Sequence, residues 1–152
     1  IMEKYKFDGQ LVLVGKKGWD CAESLETPEK YNITENVLFT GRISDEDLTH
    51  LLSGAKAYIS VSFEEGFGLP LLEAMSSKIP CVISNIPSYK DLAEENAVYV
   101  EPRSVESISN GICKVLNSPD VDVEKAYKRS QKYSWRTTAH RTLEVFQDMA
   151  NK

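Results

Sequence analysis

The chain has 152 residues, with 18 Lys and Arg against 23 Asp and Glu, a net charge of -5 and 41% hydrophobic residues. That is one domain's worth of chain with ample core material, which excludes disorder. The mild acidity argues against coating nucleic acid, since neutralising phosphates needs clustered Lys and Arg. No apolar run is long enough to cross a bilayer, and Ile1–Gln10 is too charged for a signal peptide. Cys21, Cys81 and Cys113 lack CxxC spacing. An odd, unpatterned set suggests reduced thiols in a cytoplasmic protein, with Cys81 a small buried hydrophobe inside an apolar run.

In chain order, Ile1–Lys6 reads as the tail of a helix with no strand before it, so a fragment of a longer protein is expected. Strands follow at Gln10–Gly15, Val37–Thr40, Ala57–Ser62, Cys81–Ser84 and Ala97–Val100. Each is apolar almost throughout, the signature of strands buried on both faces of a parallel sheet. The intervening segments are long enough for crossover helices, which predicts an α/β fold with one open parallel sheet in one domain, residues 1–152.

Several helix starts are legible. Ser44 precedes Asp45, Glu46 and Asp47, an N-cap followed by acids that complement the helix dipole, and Leu48, Leu51, Leu52 and Ala55 follow at helical spacing. Pro70 suits a first turn, with Leu71, Leu72, Ala74 and Met75 behind it. Ser104 caps a helix whose stripe is Val105, Ile108, Ile112, Val115 and Leu116. Ser134 caps the last, with Trp135, Ala139, Leu143, Phe146 and Ala150 on one side. His50 and His140 fall on helices and read as surface or packing residues, without metal-ligand spacing.

Ser60–Met75, SVSFEEGFGLPLLEAM, sets a glycine-containing turn between a buried strand and a helix. Ligands bind at the carboxyl ends of strands in open α/β sheets. Backbone amides around Gly66–Leu69 would stand as unsatisfied donors at a helix N-terminus, favouring an anionic or hydroxyl-rich ligand. Glu65 lies in the loop and Glu73 one turn inside the helix, so two carboxylates can address different ends of one extended ligand. The bland alternative is a solvated acidic cluster around an ordinary turn. GFGLPL lacks the third glycine of a dinucleotide fingerprint, and no G-K-S/T follows to make a phosphate-binding Walker loop.

SFEEGFGLPLLEAM resembles the Glu-x7-Glu signature of the retaining glycosyltransferases of family 4, which have the two-domain GT-B fold. LVLVGKKGW, VLFTGRISDEDL, IPCVISNIPSYKDLAEENAVYVEP (a strand, turn and strand) and KYSW resemble further family segments, in the family's order. The resemblance implies a Rossmann-like, C-terminal nucleotide-sugar donor domain. Glu65 and the amides of Gly66, Phe67 and Gly68 would hold the donor sugar, and Gly68 and Leu69 the diphosphate. Glu73 would hold the ribose, Gly41, Ile43 and Asp45 would border the base, and Gly15 would line the cleft floor. Asp45 is equally well explained as a first-turn acid.

The implied reaction is hexosyl transfer from a UDP-, GDP- or ADP-linked sugar to an acceptor hydroxyl with retention, in surface polysaccharide or glycoconjugate synthesis. Neither glutamate is an acid–base catalyst, and no metal or other cofactor is expected. The acceptor-binding domain, and the Arg and Lys that neutralise the diphosphate, would precede Ile1, so the chain alone is expected to be inactive. No nucleic-acid partner and no membrane contact is indicated in this segment; the full-length protein would be cytoplasmic, peripheral at most at the inner membrane face. Val61, Lys78 and Asp91 depart from the family's usual Pro, Gly and Glu. Lys78 is expected to adopt a left-handed conformation at a cost relative to glycine. The rival readings are a sugar-nucleotide epimerase of the same architecture and a non-catalytic sugar-nucleotide-binding subunit.

Overall fold

The computed structural model describes residues 1, 7–19, 21–117 and 121–151. The expected helix tail over Ile1–Lys6 falls mostly outside them. The chain divides into two units, Ile1–Leu51 and Leu52–Lys152.

In the first unit, β1 (Leu11–Val14) pairs in parallel with β2 (Val37–Gly41) through α1 (Ala22–Lys30), and α2 (Asp45–Gly54) begins after β2. Ser44 caps α2 as expected, its Oγ accepting from Asp47 N at 3.1 Å and donating to Asp47 Oδ2 at 2.7 Å. The two strands are not buried on both faces: Leu13 is 41% exposed and Leu38 48%. A ladder of two strands has one neighbour per strand and too few covering layers, so a uniformly apolar sequence alone does not bury it.

The second unit holds β3 (Tyr58–Ser60), α3 (Leu69–Ser76), β4 (Cys81–Ser84), α4 (Pro87–Ala93), β5 (Val98–Val100), α5 (Val105–Asn117), α6 (Val123–Ser130) and α7 (Trp135–Ala150). Its strands form a parallel sheet in the order β3-β4-β5. The five expected strands are thus all present, in two ladders. Here the burial argument holds: β4 is flanked on both edges and buried at every position. Its pleat sends Cys81 and Ile83 into a core with Leu71, Met75, Tyr89 and Leu92, while Val82 joins Val100 and Val115 on the other face. Burying such side chains stabilises by about 1.5–3 kcal/mol each. Gly111 lets α5 approach that second face closely, since a Cβ there would lie 2.4 Å from Val100 Cγ1.

Two helix stripes depart from expectation. Val105, in the first turn of α5, is 83% exposed although Ile108, Ile112 and Val115 pack as read. On α7, capped by Ser134 as expected, Trp135, Leu143 and Phe146 are all exposed. Periodicity marks a face able to be buried; packing decides whether it is. The helix α4 is one of the crossover helices expected between strands, in the segment whose family likeness reads as strand, turn and strand. Pro87 opens it, and Tyr89, Leu92 and Ala93 bury one side. Lys78 has φ 57°, the left-handed conformation expected of it.

Candidate functional site

The site loop, residues 61–68, leaves the carboxyl end of β3 and enters α3. Gly68 is the helix N-cap, at φ 96° and ψ 50°, and Pro70 stands in the first turn. The first backbone donor of α3 to find an in-chain carbonyl is Leu72 N, bonding Gly68 O at 3.1 Å. Among the described residues, the amides of Gly66, Phe67, Gly68 and Leu69 donate to no backbone carbonyl. They form a row of donors at the positive end of a helix dipole.

Glu65 is exposed in this loop, and its Oε1 accepts from Ser62 Oγ at 2.8 Å and from Tyr89 OH at 3.4 Å. Glu73 is exposed on α3, a little over one turn from the loop's end. The structure therefore brings Glu65, Gly66, Phe67, Gly68, Leu69 and Glu73 onto one loop and helix.

Two tyrosines far along the chain brace the loop. Tyr89, on α4 and 1% exposed, shares a hydrogen bond of 2.6 Å with Ser60 Oγ, and its ring lies where a side chain on Gly68 would be. Tyr133 meets Phe67 edge to face, with ring centroids 5.5 Å apart. Arg129 secures both supports. Its guanidinium donates to the carbonyls of Leu92 and Asp91 at the end of α4, pairs with Glu94 at 2.9 Å, and lies over the Tyr133 ring. Arg103, beyond β5, stacks on the exposed ring of Phe63 at 4.6 Å. Tyr133, in KYSW, and Tyr89 lie in segments that resemble the family, but none of the four was given a role at the loop from the sequence. Pro87 followed by the Tyr89, Leu92, Ala93 spacing was the one signal available, and it pointed to a helix, not to the loop.

Burial, the largest cause, pushes the Tyr58 phenol well above its usual range, against the opposing effect of the Ser60 hydroxyl. Tyr58 thus stays protonated at neutral pH.

In the first unit, Gly15 and Gly41 are joined at the carboxyl ends of β1 and β2, with Gly15 N donating to Gly41 O at 3.0 Å. Ile43 follows, half-buried, and Asp45 is the first residue of α2, exposed. The residues expected to border a base and to line a cleft floor are thus gathered on the strand ends of this unit, and the loop residues on those of the other.

A family model described as "Glycosyl transferases group 1" matches residues 3–134. The chain belongs to this family. The glycosyltransferase chain is 29% identical over 139 residues to O-antigen chain mannosyltransferase B of Escherichia coli, an alignment covering 90% of this chain and 36% of that protein. It is 33% identical over 131 residues to the serotype-specific mannosyltransferase WbdA of Escherichia coli, covering 86% of this chain and 16% of the relative. The chain thus spans little more than a third of the first and about a sixth of the second. Among solved structures it resembles sucrose-phosphate synthase from Thermosynechococcus elongatus with a TM-score of 0.85 and 25% identity, over 94% of this chain and 39% of that one. The α/β fold with parallel sheets flanked by helices is that of GT-B glycosyltransferases. No helix among the described residues is long and apolar enough to cross a membrane.

Proposed function

We propose that the chain is the donor-binding domain of a retaining hexosyltransferase of the family 4 type, which passes mannose from a nucleoside-diphosphate sugar to an acceptor hydroxyl in surface polysaccharide synthesis. The observation that carries this reading is the segment Glu65–Leu69: a hydrogen-bonded carboxylate followed by four amides that donate to no backbone carbonyl, at the N-terminus of α3. The mannosyltransferase relatives support mannose as the sugar.

In this reading Glu65 accepts from sugar hydroxyls, and the amides of Gly66, Phe67 and Gly68 line the sugar. Gly68 and Leu69 donate to the diphosphate, and Glu73 accepts from the ribose. Gly41, Ile43 and Asp45 border the base, and Gly15 forms the cleft floor. The chemical difficulty is departure of a diphosphate while positive charge grows on the sugar. Preorganised amides and a helix dipole aimed at the leaving oxygen lower that barrier without a proton transfer. Glu65 and Glu73 therefore position the donor and do not act as acid or base. No divalent metal is required for these roles. The acceptor is bound by a separate domain of the full-length protein, which works in the cytoplasm, peripheral at the inner membrane face.

A ligand-observed NMR titration of the full-length protein with UDP, GDP, ADP and their mannose, glucose and N-acetylglucosamine conjugates, with and without a chelator, tests the reading. One nucleotide class is expected to bind, its mannose conjugate more tightly, with the chelator without effect and Glu73→Ala weakening both. Silence across the panel overturns the assignment. Product analysis then decides the stereochemistry, since an inverted anomeric centre would refute retention.

A further inference from the structure

We propose that Tyr89 is a positioning residue for the donor sugar: its hydroxyl holds the Glu65 carboxylate in the orientation that leaves one oxygen to accept from the ligand. The proposal rests on reading Glu65 as the sugar-holding carboxylate.

Both in-chain hydrogen bonds to Glu65, from Ser62 and from Tyr89, fall on Oε1. Among the described residues Oε2 receives none, so it is the oxygen left for a ligand hydroxyl. Two donors on one oxygen remove much of the freedom of a torsion that is otherwise broad in glutamate. Ser62 is three residues from Glu65 and moves with the loop, whereas Tyr89 is anchored outside it. It is 1% exposed on α4, whose last carbonyls are held by Arg129, and its own carbonyl accepts from Tyr99 OH at 3.4 Å.

The donors form a directed relay. Ser60 bonds Tyr89 at 2.6 Å, and Tyr89 OH donates to Glu65. A carboxylate only accepts, so the chain has one consistent polarity, with every proton pointing towards Glu65. Burying a tyrosine hydroxyl where phenylalanine would pack equally well is costly unless the hydroxyl is used. Here it is used on the loop's anion.

The readout that separates positioning from mere support is the sugar increment, the ratio of Kd for the free nucleoside diphosphate to Kd for its sugar conjugate. Tyr89→Phe keeps the ring beneath Gly68 and deletes only the hydroxyl. In the full-length protein it is expected to lower the increment about three- to tenfold, the range for a longer hydrogen bond to a charged group, while free nucleotide binding changes less than about twofold. Glu65→Ala is expected to lower the same ratio, with Tyr89→Phe adding nothing in that background. Ser60→Ala, which breaks the relay without touching the ring, should shift the ratio in the same direction by less. An unchanged ratio in Tyr89→Phe beside a lowered one in Glu65→Ala overturns the role of Tyr89 alone. Equal weakening of nucleotide and conjugate by Tyr89→Phe also overturns it, since the tyrosine would then support the whole loop. An unchanged ratio in Glu65→Ala overturns the reading of Glu65 and this proposal with it.

Discussion

Replacing Gly68 by alanine should destabilise the protein by roughly 2–5 kcal/mol, the sum of two independent penalties. The backbone there has φ 96° and ψ 50°, in the left-handed region, where an L side chain costs about 1–2 kcal/mol. The new methyl would also stand 2.8 Å from Tyr89 Cε1, 3.2 Å from Cδ1 and 3.6 Å from Leu92 Cδ2. Tyr89 and Leu92 are each 1% exposed, so neither swings into solvent, and overpacking of that kind costs about 1–3 kcal/mol. Against a total stability of about 5–15 kcal/mol, the loss is large enough to read directly. Urea denaturation of the wild type, Gly68→Ala and Gly66→Ala provides the assay. Gly66 has nothing within 4 Å of an added Cβ and no positive φ, so its alanine variant should stay within about 0.5 kcal/mol of the wild type. Equal midpoints for the two variants would refute the claim that Tyr89 and the left-handed backbone together demand glycine at position 68.

The cysteines should separate by reactivity. Cys81 is 1% exposed, and burial pushes its thiol up to about 12, while Cys113 is also buried and Cys21 partly exposed. Mild iodoacetamide treatment of the native protein near neutral pH, followed by mass mapping, should label Cys21 first; rapid labelling of Cys81 would contradict the buried core of β4. Asp122 caps α6, and its carboxyl is held below the usual range chiefly by the backbone N–H of Lys125. A depressed folded value adds stability above the unfolded pKa that is lost as the pH falls through the folded one. Acid titration of the melting temperature should therefore show a shallower loss in Asp122→Ala than in the wild type, and parallel curves would refute the cap's contribution.

Several features of this molecule are local and were legible from neighbours in the chain. The caps at Ser44, Ser104 and Ser134 depend on an acceptor three residues from a donor, and all three hydrogen bonds are present. The left-handed turn at Lys78, expected because the family the chain resembles usually has Gly there, is present at φ 57°. The five strands announced themselves as short apolar runs between turn residues, with ends displaced by a residue or two. The segment Ser60–Met75 and its order among the other motifs pointed to the glycosyltransferase family, and the family model bears that out.

Other features depend on which segments meet, and no spacing in the chain encodes that. Uniformly apolar β1, β2 and β4 look alike as sequence, but β4 is enclosed by two neighbouring strands and helices on both faces, while Leu13 and Leu38 remain substantially exposed. The stripe of α7 has the periodicity of a buried helix and is exposed along its length. The loop's chemistry shows the division most plainly. Glu65 and the glycines were visible as candidates, but the hydroxyl of Tyr89, 24 residues away, the ring of Tyr133 and the grip of Arg129 on α4 were not. Sequence alone determined the local backbone and the identity of the donors and acceptors, because these are set by residues within a few positions of one another. Tertiary structure decided which of them are held in a fixed orientation, because that depends on close packing between residues the chain separates and the fold reunites.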